Sequence, residues 1–393
     1  MIKTQVAVIG GGPSGVLLAL LLAQEGIAVT VLERASRNHV LARIRAGVLE
    51  STTVALLHRA GVGERVAKEG KLHRGTGIAW GREQTYLIDS YAATERYFTT
   101  YGQTAIQEDL YTAAAARGLK IEFDVSTVEF EDLTNTPKIR YQKDNQTYTL
   151  GCDFIAGCDG FHGVSRHAIP TDLLRTYERT YPFGWMGVLS ETKPLNDIWY
   201  VHHSDGFALA SMRNPKLSRY YVQCPVDDRV EDWSDSRFWE TLLQRFPPHL
   251  ATQIETGPSI EKSIAPLRSF VAEPMRYGAL FLVGDAAHIV PPTGAKGLNL
   301  ACSDVYYLWR GLTRWYHDHD AHWLDAYSET ALTRVWKTVR FSWWLTNLLH
   351  CYPNQTPFDL KAQESELASI TESAAGRQWF AEQYAGYPIE DWG

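Results

Sequence analysis

A glycine-rich turn near the N-terminus constrains this chain more than any other feature. Gly10, Gly12 and Gly15 form the pattern G-x-G-x-x-G, directly after the apolar run 5–9 and directly before a helical pattern. A second apolar run follows and ends beside Glu33. Continuous apolar runs are typical of strands buried in a parallel sheet. The segment therefore predicts a strand–helix–strand unit that binds a dinucleotide.

Each residue of this unit has a physical role in holding such a ligand. Gly10 permits the tight turn, Gly12 lets the backbone approach a pyrophosphate, and Gly15 allows close helix packing. The helix N-terminus then faces the negative charge. A carboxylate at Glu33 accepts hydrogen bonds from ribose hydroxyls and repels a 2′-phosphate, so a dinucleotide with a non-phosphorylated adenosine, such as FAD, is preferred here. The alternative is that the glycines serve only a tight turn.

A second motif, residues 284–288 (GDAAH), also follows an apolar run. Asp285 would lie at the carboxyl edge of the sheet, where it could hold a polyol. The loop 291–297 then leads into a helix whose N-terminal dipole could stabilise a reduced flavin, and Gly294 and Gly297 let a flat ring approach. An ordinary loop with prolines at a helix start is the alternative.

Composition excludes several classes of protein. The net charge is −7 and the basic residues are dispersed along 393 residues, so nucleic acid is not an expected partner. No apolar run reaches the length of a membrane span, and the start has no signal-peptide pattern, which predicts a cytoplasmic protein without membrane contact. Five scattered cysteines without a C-x-x-C pair favour neither disulfides nor a metal site.

Three short motifs in order, GGGPSG, CDG and GDAAH, resemble the class A flavoprotein aromatic hydroxylases. Longer segments resemble the branch that hydroxylates 4-hydroxybenzoate. These segments are RIRAGVLE (43–50), YGQT (101–104), CDGFHG (158–163), YPFGW (181–185), IAPLRSF (264–270) and AHIVPPTGAKGLN (287–299).

The resemblance implies an α/β fold, with a Rossmann-like FAD-binding domain of the glutathione-reductase type, an antiparallel β-sheet substrate domain and a helical C-terminal region. The predicted boundaries are 1–180 for the FAD domain, with a β insertion at about 73–103, then 181–268 for the substrate domain and 269–393 for the remainder. A homodimer through the helical region is implied only by the resemblance.

The resemblance also implies the FAD contacts. Glu33 would bind the adenosine ribose, Gln103 and Arg45 the diphosphate and ribityl region, and Asp285 the ribityl chain. Asn299 would steady the start of the helix beside the flavin. The full predicted set is Gly10, Gly12, Gly15, Glu33, Arg43, Arg45, Gln103, Asp159, Asp285, Gly297, Leu298 and Asn299.

The segment 199–221 resembles the substrate strands of the family. Ser211, Arg213 and Tyr221 would surround an aromatic carboxylate, and Tyr200 would meet the phenol. Arg213 offers a planar fork that matches a carboxylate, although an arginine on an alternating strand is otherwise more often a surface charge. Pro292 would place its backbone carbonyl near the ring hydroxyl.

Hydroxylation of a phenol is easier when the phenol is ionised, and the family supplies a proton relay. The matching residues are Tyr200, Tyr384 and His73, in which the histidine connects the buried phenol to solvent. With Pro292 they form the predicted catalytic set. Each one alone would more often be an ordinary core or loop residue.

The second cofactor is a nicotinamide, and the chain has no second G-x-G-x-x-G for it. It would therefore visit a surface cleft, where cations attract its phosphates. Ala35 and His39 depart from the family pattern, so NADH is possible, while Arg34 and Arg37 favour NADPH. The residues implied by the resemblance are Arg34, His39, Arg43, Arg45, His162, Arg166 and Arg268.

These features together predict an FAD- and NAD(P)H-dependent monooxygenase. It would use O2 through a flavin C4a-hydroperoxide to convert 4-hydroxybenzoate into 3,4-dihydroxybenzoate. Another para-hydroxylated benzoate, such as 3,4-dihydroxybenzoate, is the alternative substrate. A flavin halogenase lacks support because W-x-W-x-I-P is absent, and a non-hydroxylating FAD protein would not need the tyrosines and Arg213. Trp199, large for its position, is expected to pack in the core on the face opposite Tyr200.

Overall fold

The computed structural model describes residues 2–42 and 47–389. The predicted ligand-binding residues Arg43 and Arg45 lie outside the described residues. Within them, two sheets organise the fold, and both contribute to one large cavity.

The first sheet has six strands and is parallel except for one terminal strand. Helix Pro13–Gln24 follows its central strand and is buried along residues 15–22, which confirms the predicted strand–helix–strand unit. The apolar strand Phe154–Gly157 also pairs in parallel with Val6–Ile9 in this sheet. The spatial order is Arg276–Tyr277, Leu280–Leu282, Phe154–Gly157, Val6–Ile9, Val29–Leu32 and Lys120–Glu122.

The second, larger sheet has eight strands and is antiparallel except where Ile198–His202 runs parallel to Gly75–Trp80. The spatial order is His288–Ile289, Ser259–Glu273, Arg175–Ser190, Leu217–Pro225, Ala208–Asn214, Ile198–His202, Gly75–Trp80 and Gln84–Asp89.

The predicted domain boundaries fall inside elements of this larger sheet. Strand Arg175–Ser190 runs through the boundary at 180, and strand Ser259–Glu273 runs through the boundary at 268. The two strands pair along most of their length, with a register shift between Thr180 and Gly184. The predicted insertion supplies Gly75–Trp80 and Gln84–Asp89 to the same sheet. Long strands that join two layers leave no linker at which a sequence pattern could mark a boundary.

The larger sheet separates two apolar cores. Tyr200 packs on one face with Phe341, Phe380 and Tyr384 of the C-terminal helices. Trp199 packs on the other face, directly over Gly77, where an added Cβ would meet the indole at 2.3 Å. The prediction that Trp199 is a core residue opposite Tyr200 is confirmed. Trp199 therefore does not share the face of the sheet on which Tyr200 lies.

The smaller sheets flank these cores. Strands Lys138–Lys143 and Gln146–Gly151 form a hairpin that turns at Asp144 and Asn145, both at positive φ, and belongs to a four-stranded sheet. Its strands are Ile2–Lys3, Gln146–Gly151, Lys138–Lys143 and Ser126–Glu131. A three-stranded sheet consists of Val48–Glu50, Phe98–Thr100 and Lys71–His73.

The remainder is helical, and the predicted helical C-terminal region is confirmed. Residues Ser51–Arg59 and Glu64–Glu69 form two separate helices, because Gly61 between them takes a positive φ and Gly63 follows it. None of the helices in 2–42 and 47–389 is long and apolar enough to span a membrane. The helices are Pro13–Gln24, Arg37–Leu41, Ser51–Arg59, Glu64–Glu69, Ser90–Thr94, Gln103–Ala116, Asp235–Arg245, Pro248–Ala251, Gly297–Asp318, His322–Leu349, Pro357–Glu372 and Ala374–Ala385.

Candidate active site

A cavity of about 770 Å³ lies where the two sheets meet. Its wall includes the glycine-rich turn, the segment 158–164, the loop 289–298 and one face of the larger sheet. The volume is in the range expected for ligand and cofactor sites. The motifs that predicted the site therefore line one continuous space.

Three helices begin at this wall. They are Pro13–Gln24, Gln103–Ala116 and Gly297–Asp318, and none has a side-chain hydrogen bond at its N-cap. The first N–H groups of a helix need acceptors, and the helix dipole favours negative charge there. This end of the cavity is consequently suited to a phosphorylated, polyoxygenated ligand.

The fold requires glycine at two positions of the first turn, but at a third position it leaves room for a larger residue. A Cβ on Gly10 would lie 2.3 Å from the Cys158 carbonyl oxygen, and one on Gly15 would lie 2.0 Å from the Gly10 oxygen. A Cβ on Gly12 would meet no protein atom within 4 Å, although Gly12 lines the cavity. The fold explains the first two glycines, whereas close approach of a ligand explains Gly12.

Carboxylates occupy three predicted places on the wall. Glu33 accepts the N–H groups of Gly11 at 2.6 Å and Ala35 at 2.8 Å, which fixes its carboxylate beside the turn. Asp159 accepts the N–H and hydroxyl of Ser165 through Oδ2, while its buried Oδ1 has no partner. Burial raises the pKa of Asp159. Asp285 lines the cavity after the strand Leu280–Leu282.

The loop before the third helix is fixed from behind. The Asn299 side chain donates to the carbonyls of Val48 and Ala295 at 2.9 Å, and its oxygen accepts the Glu50 N–H and the Thr53 hydroxyl. Asn299 therefore holds the helix start in place, whereas Gly297 and Leu298 form the wall. The Pro292 carbonyl accepts the Ala295 N–H at 2.9 Å and keeps a second lone pair.

These observations fit FAD. The adenosine end would meet Glu33, the diphosphate would meet the backbone of Gly12 and the helix at Gln103, and the ribityl chain would meet Asp285. The unpaired Asp159 oxygen and the space above Gly12 are features that the protein alone leaves unexplained.

The opposite wall belongs to the larger sheet and includes Trp185, Arg219 and Tyr221, whereas the predicted residues Tyr200, Ser211, Arg213 and Tyr384 are not among the lining residues. Tyr200 pairs with Leu209, and Leu209 pairs with Tyr221, so the three share one face. Tyr221 lines the cavity directly, as does Trp185, whose ring centroid is 5.1 Å from that of Tyr221. Alternation along antiparallel strands thus carries aromatic groups to the ligand side of the sheet.

Two arginines adjoin Tyr221. Its phenol oxygen lies beside the guanidinium groups of Arg213 and Arg219. Arg219 donates to Glu261 at 3.0 Å and to Ser263 at 2.9 Å. The Arg213 Nε is buried and has no partner, and burial lowers the pKa of this guanidinium. Ser211 donates to the Arg219 carbonyl at 3.0 Å, which places it next to the same pair.

The two predicted relay tyrosines meet. The Tyr200 and Tyr384 hydroxyl oxygens are 3.1 Å apart, and both side chains are buried. Burial raises the pKa of each phenol, so both stay protonated near neutral pH. The Lys296 ammonium donates to the Tyr384 carbonyl at 2.5 Å and to Glu50 at 2.7 Å, which anchors this end of the helix.

His73 is the third predicted relay residue and lies nearby without a direct bond to the tyrosines. It is buried on strand Lys71–His73, and its Nε2 is 3.3 Å from the Thr100 hydroxyl oxygen. Its strand partner Phe98 packs edge-on against Tyr384, with ring centroids 4.8 Å apart. Burial and the neighbouring Lys71 lower the pKa of His73 to about 4, so it is neutral at pH 7.

Four of the predicted coenzyme residues that the structure describes lie together near Phe161, and His39 lies on helix Arg37–Leu41. The four are Arg34, His162, Arg166 and Arg268. The guanidinium carbons of Arg166 and Arg268 lie 4.8 and 4.6 Å from the Phe161 ring centroid. Arg34 donates to the His162 carbonyl at 3.4 Å, and both residues line the cavity. Arg166 is buried and donates to the carbonyls of Ala286 and Phe161.

Trp185, Arg219 and Lys296 are among the wall residues that sequence reasoning missed. Arg219 could have been found, because it lies two residues before Tyr221 on an alternating strand and so shares its face. Trp185 ends the YPFGW segment, which served only as evidence of resemblance. Lys296 gave no local signal, because its ion pair with Glu50 joins residues far apart in the chain.

Comparisons with known proteins agree with this geometry. The FAD binding domain family matches residues 3–342. The chain is 49% identical over 390 residues to the p-hydroxybenzoate hydroxylase of Acinetobacter baylyi, covering 99% of this chain and 96% of that protein. It is 25% identical over 316 residues to the rifampicin monooxygenase of Streptomyces venezuelae, covering 77% of this chain and 62% of that protein.

Solved structures share the fold. The p-nitrophenol 4-monooxygenase from Pseudomonas putida superposes with a TM-score of 0.81 at 20% identity and covers 99% of this chain and 100% of its own. The aklavinone-11 hydroxylase, solved with FAD and aklavinone, gives 0.72 at 21% identity, with 92% of this chain and 73% of its own covered. The predicted fold class and FAD are confirmed. The chain belongs to the FAD binding domain family and is a flavin-dependent aromatic monooxygenase.

Proposed function

We propose that this monooxygenase hydroxylates 4-hydroxybenzoate at the ring position next to its hydroxyl, yielding 3,4-dihydroxybenzoate, with NADPH and O2 as co-substrates. The relative that is 49% identical carries the name of a p-hydroxybenzoate hydroxylase. The structural observation that carries the proposal is that a cation and a buried phenol pair both adjoin residues that line one cavity. Arg213 lies beside Tyr221, which lines the cavity, and Tyr384 is hydrogen-bonded to Lys296, which also lines it. The cation and the phenol pair match the carboxylate and the hydroxyl at the two ends of this substrate.

The carboxylate end is Arg213 with Tyr221 and Ser211. A buried guanidinium N–H without a partner is costly, and a carboxylate ligand would satisfy it. The Tyr221 hydroxyl beside Arg213 would donate a further hydrogen bond to that carboxylate, and the Ser211 hydroxyl could do so by giving up its bond to the Arg219 carbonyl. A neutral ring substituent would leave the cation unpaired. The site therefore selects an aromatic acid.

The hydroxyl end is the Tyr200–Tyr384 pair. A phenolic hydroxyl can accept one proton while it donates another. The substrate hydroxyl would give its proton to the Tyr200 oxygen, and Tyr200 would pass its own proton to Tyr384 across 3.1 Å. The substrate becomes a phenolate, whose ring is richer in electrons and so more easily hydroxylated. The second lone pair of the Pro292 carbonyl would orient the ring hydroxyl.

His73 would receive the proton through an intervening water, since no direct bond joins it to Tyr384. A histidine with a pKa of about 4 remains neutral and carries a proton only transiently. Bound FAD supplies the hydride acceptor and the centre that activates O2. The buried walls of the cavity keep bulk water away from that centre.

The coenzyme would bind near Phe161. Arg34 and His162 line the cavity mouth, and Arg268 lies over Phe161, so cations are available for coenzyme phosphates. The exposed Arg37 beside Arg34 favours NADPH, with its additional phosphate, over NADH. We infer a cytoplasmic location, which suits a chain with five free thiols and a need for NADPH.

We further infer a homodimer through helix His322–Leu349. Trp336 and Trp343, seven residues apart on one face, are each more than one third exposed. Tyr177 of the larger sheet packs edge-on against Trp336 and is also exposed. Exposed aromatic groups of this size favour contact with a second copy. Sedimentation should show a dimer that Trp343→Glu dissociates, whereas an unchanged dimer would place the interface elsewhere.

Coenzyme oxidation by the FAD-bound enzyme tests the proposed substrate. NADPH and NADH should each be offered with no effector, with 4-hydroxybenzoate and with 3,4-dihydroxybenzoate. We expect 4-hydroxybenzoate to accelerate NADPH oxidation most strongly. Stronger stimulation by 3,4-dihydroxybenzoate would make that compound the substrate. A rate that no aromatic acid changes would contradict the assignment of Arg213 and its neighbours.

A further inference from the structure

Trp185 forms part of the cavity wall next to Tyr221, and its indole is held by one specific bond. The indole Nε1–H donates to the Nε2 of His350 at 2.7 Å. The two residues are 165 positions apart in the chain, and both are buried. An indole has a single donor, so this bond distinguishes one orientation of the ring from its flipped alternative.

His350 can act only as an acceptor at this nitrogen. Its Nδ1 lies 2.8 Å from the Thr346 carbonyl oxygen, which can accept but not donate. The Nδ1 therefore carries the proton, and the Nε2 offers its lone pair to Trp185. Burial lowers the pKa of His350 to about 3, so this neutral tautomer persists through the working range.

The imidazole is itself clamped between two aromatic rings. Phe183 stacks on one side with ring centroids 4.7 Å apart, and Phe207 on the other with centroids 4.4 Å apart. Phe207 also stacks on Trp185 at 4.7 Å. Phe183 and Trp185 of strand Arg175–Ser190 and Phe207, just before strand Ala208–Asn214, thus all contact the imidazole, and any tilt of His350 would be transmitted to the cavity wall.

The C-terminal end of helix His322–Leu349, at which His350 lies, also contacts the loop 289–298 of the cavity wall. Thr346, whose carbonyl fixes His350, has its hydroxyl 2.9 Å from the Thr293 hydroxyl, next to Pro292. This end of helix His322–Leu349 therefore contacts two parts of the cavity wall. Thr346 bonds to Thr293 of the loop, and His350 bonds to Trp185 of the larger sheet.

We propose that His350 is a positioning residue, which sets the shape of the aromatic pocket by holding Trp185 in one orientation. The identity of the aromatic acid rests on the proposed function, whereas the hold on Trp185 does not. His350 would affect how well the substrate ring fits the pocket. It would thereby affect the fraction of O2 that is used for hydroxylation and not released as hydrogen peroxide.

Two conservative substitutions separate the hydrogen bond from the packing. A glutamine side chain reaches as far as the histidine Nε2, so His350→Gln should keep an acceptor for Trp185. An asparagine reaches only as far as Nδ1, so His350→Asn should lose it. We expect His350→Asn to raise the dissociation constant of 4-hydroxybenzoate about tenfold and to divert much of the O2 into hydrogen peroxide. His350→Gln should restore both properties to within about threefold.

A double-mutant cycle then asks whether His350 acts through Trp185. In a Trp185→Phe background the donor is gone, so His350→Asn should add little to the dissociation constant. If the two substitutions raise the dissociation constant independently, so that their effects multiply, the proposal is overturned. It is also overturned if His350→Gln and His350→Asn weaken binding equally. The FAD content and the thermal midpoint of each variant show whether a loss of binding is due to unfolding.

A readout without substrate keeps this inference separate from the proposed function. The indole N–H resonance of Trp185, identified by its loss in Trp185→Phe, should exchange slowly with solvent in the FAD-bound enzyme. It should exchange at least tenfold faster in His350→Asn but not in His350→Gln. An unaltered resonance in His350→Asn would overturn the inference. Failure of 4-hydroxybenzoate to bind the native enzyme would instead overturn the proposed substrate.

Discussion

The two ends of the cavity are built from different parts of the polypeptide. At the FAD end, backbone N–H groups, glycines and three helix starts form the wall. At the proposed substrate end, side chains such as Trp185 and Tyr221 form the wall, and the contacts behind them join residues such as Tyr200 and Tyr384, which are 184 positions apart. A backbone site depends on local chain geometry, whereas a side-chain site depends on how distant elements pack together.

This difference decides how each end should respond to substitution. The FAD end should respond to an added Cβ and hardly to side-chain chemistry on the surrounding helices. The substrate end should respond to the loss of single polar groups, because each one is buried and has few substitutes. Variants at the two ends should therefore fail in distinguishable ways.

Arg213→Ala should have the largest effect, at the substrate end. Removal of one partner of a buried charge pair costs about 3 kcal/mol, which corresponds to a rise of about 100-fold in the dissociation constant of 4-hydroxybenzoate. The FAD absorbance change on titration measures it. Arg229→Ala, which removes an exposed arginine paired with Asp232, serves as the control. Unchanged binding in Arg213→Ala would remove the carboxylate site from this end.

Tyr200→Phe should come next and should separate binding from turnover. The ring remains while the proton acceptor is lost, so kcat should fall about 100-fold with little change in substrate affinity. Rapid-mixing absorbance of the bound phenol should show slower formation of the phenolate. Tyr148→Phe, on the exposed hairpin, is the control. An equal loss of binding in Tyr200→Phe and Arg213→Ala would contradict their separate roles.

Gly12→Ala should have a smaller effect, confined to the FAD end. Its Cβ meets no protein atom within 4 Å, so the unfolding free energy of the FAD-free protein should not change. FAD affinity should fall about tenfold, because the added methyl would stand where the diphosphate approaches the backbone. Gly10→Ala is the matched variant and should destabilise the protein even without FAD, because its Cβ overlaps the Cys158 carbonyl. If Gly12→Ala lowers the unfolding free energy of the FAD-free protein as much as Gly10→Ala does, Gly12 is required by the fold and not by the ligand.

The smallest expected effect is on stability below neutral pH. The folded pKa of His73 is about 4, below its ordinary value of about 6.5, so the unfolded chain binds a proton that the folded protein rejects. Stability present above pH 6.5 is therefore lost as the pH falls, by about 1 kcal/mol at pH 5.5 for this residue. Urea unfolding at pH 7.5 and 5.5 should show a smaller drop in His73→Asn than in the native protein. The exposed His58→Asn variant should keep the native drop.

The same contrast explains how much could be predicted from the sequence. The βαβ unit and the Asp285 strand end were predictable because each is a contiguous run whose pattern forces its local geometry. Pairing of Tyr200 with Tyr384 followed from resemblance to a family, since nothing local links the two residues. The hold of His350 on Trp185 had no sequence signal, because it depends on how one helix end packs against a distant strand.

Domain boundaries were less predictable for a related reason. The strands Arg175–Ser190 and Ser259–Glu273 continue through the predicted boundaries and join the FAD end to the substrate end. A sequence pattern can predict where a strand begins. It does not predict which part of the fold the second half of a long strand will contact. The region 73–103, predicted as an insertion in the FAD domain, supplies an edge of the substrate sheet for the same reason.

The central claim is that one cavity couples FAD chemistry to hydroxylation of a phenolic acid bound at Arg213. The most direct measurement is the amount of 3,4-dihydroxybenzoate formed per NADPH consumed, determined by chromatography with 4-hydroxybenzoate and the native enzyme. Our account predicts a ratio near one, because a properly fitted ring uses nearly all of the activated O2. NADPH consumption that yields only hydrogen peroxide would show that 4-hydroxybenzoate is not hydroxylated in this cavity and would contradict the claim.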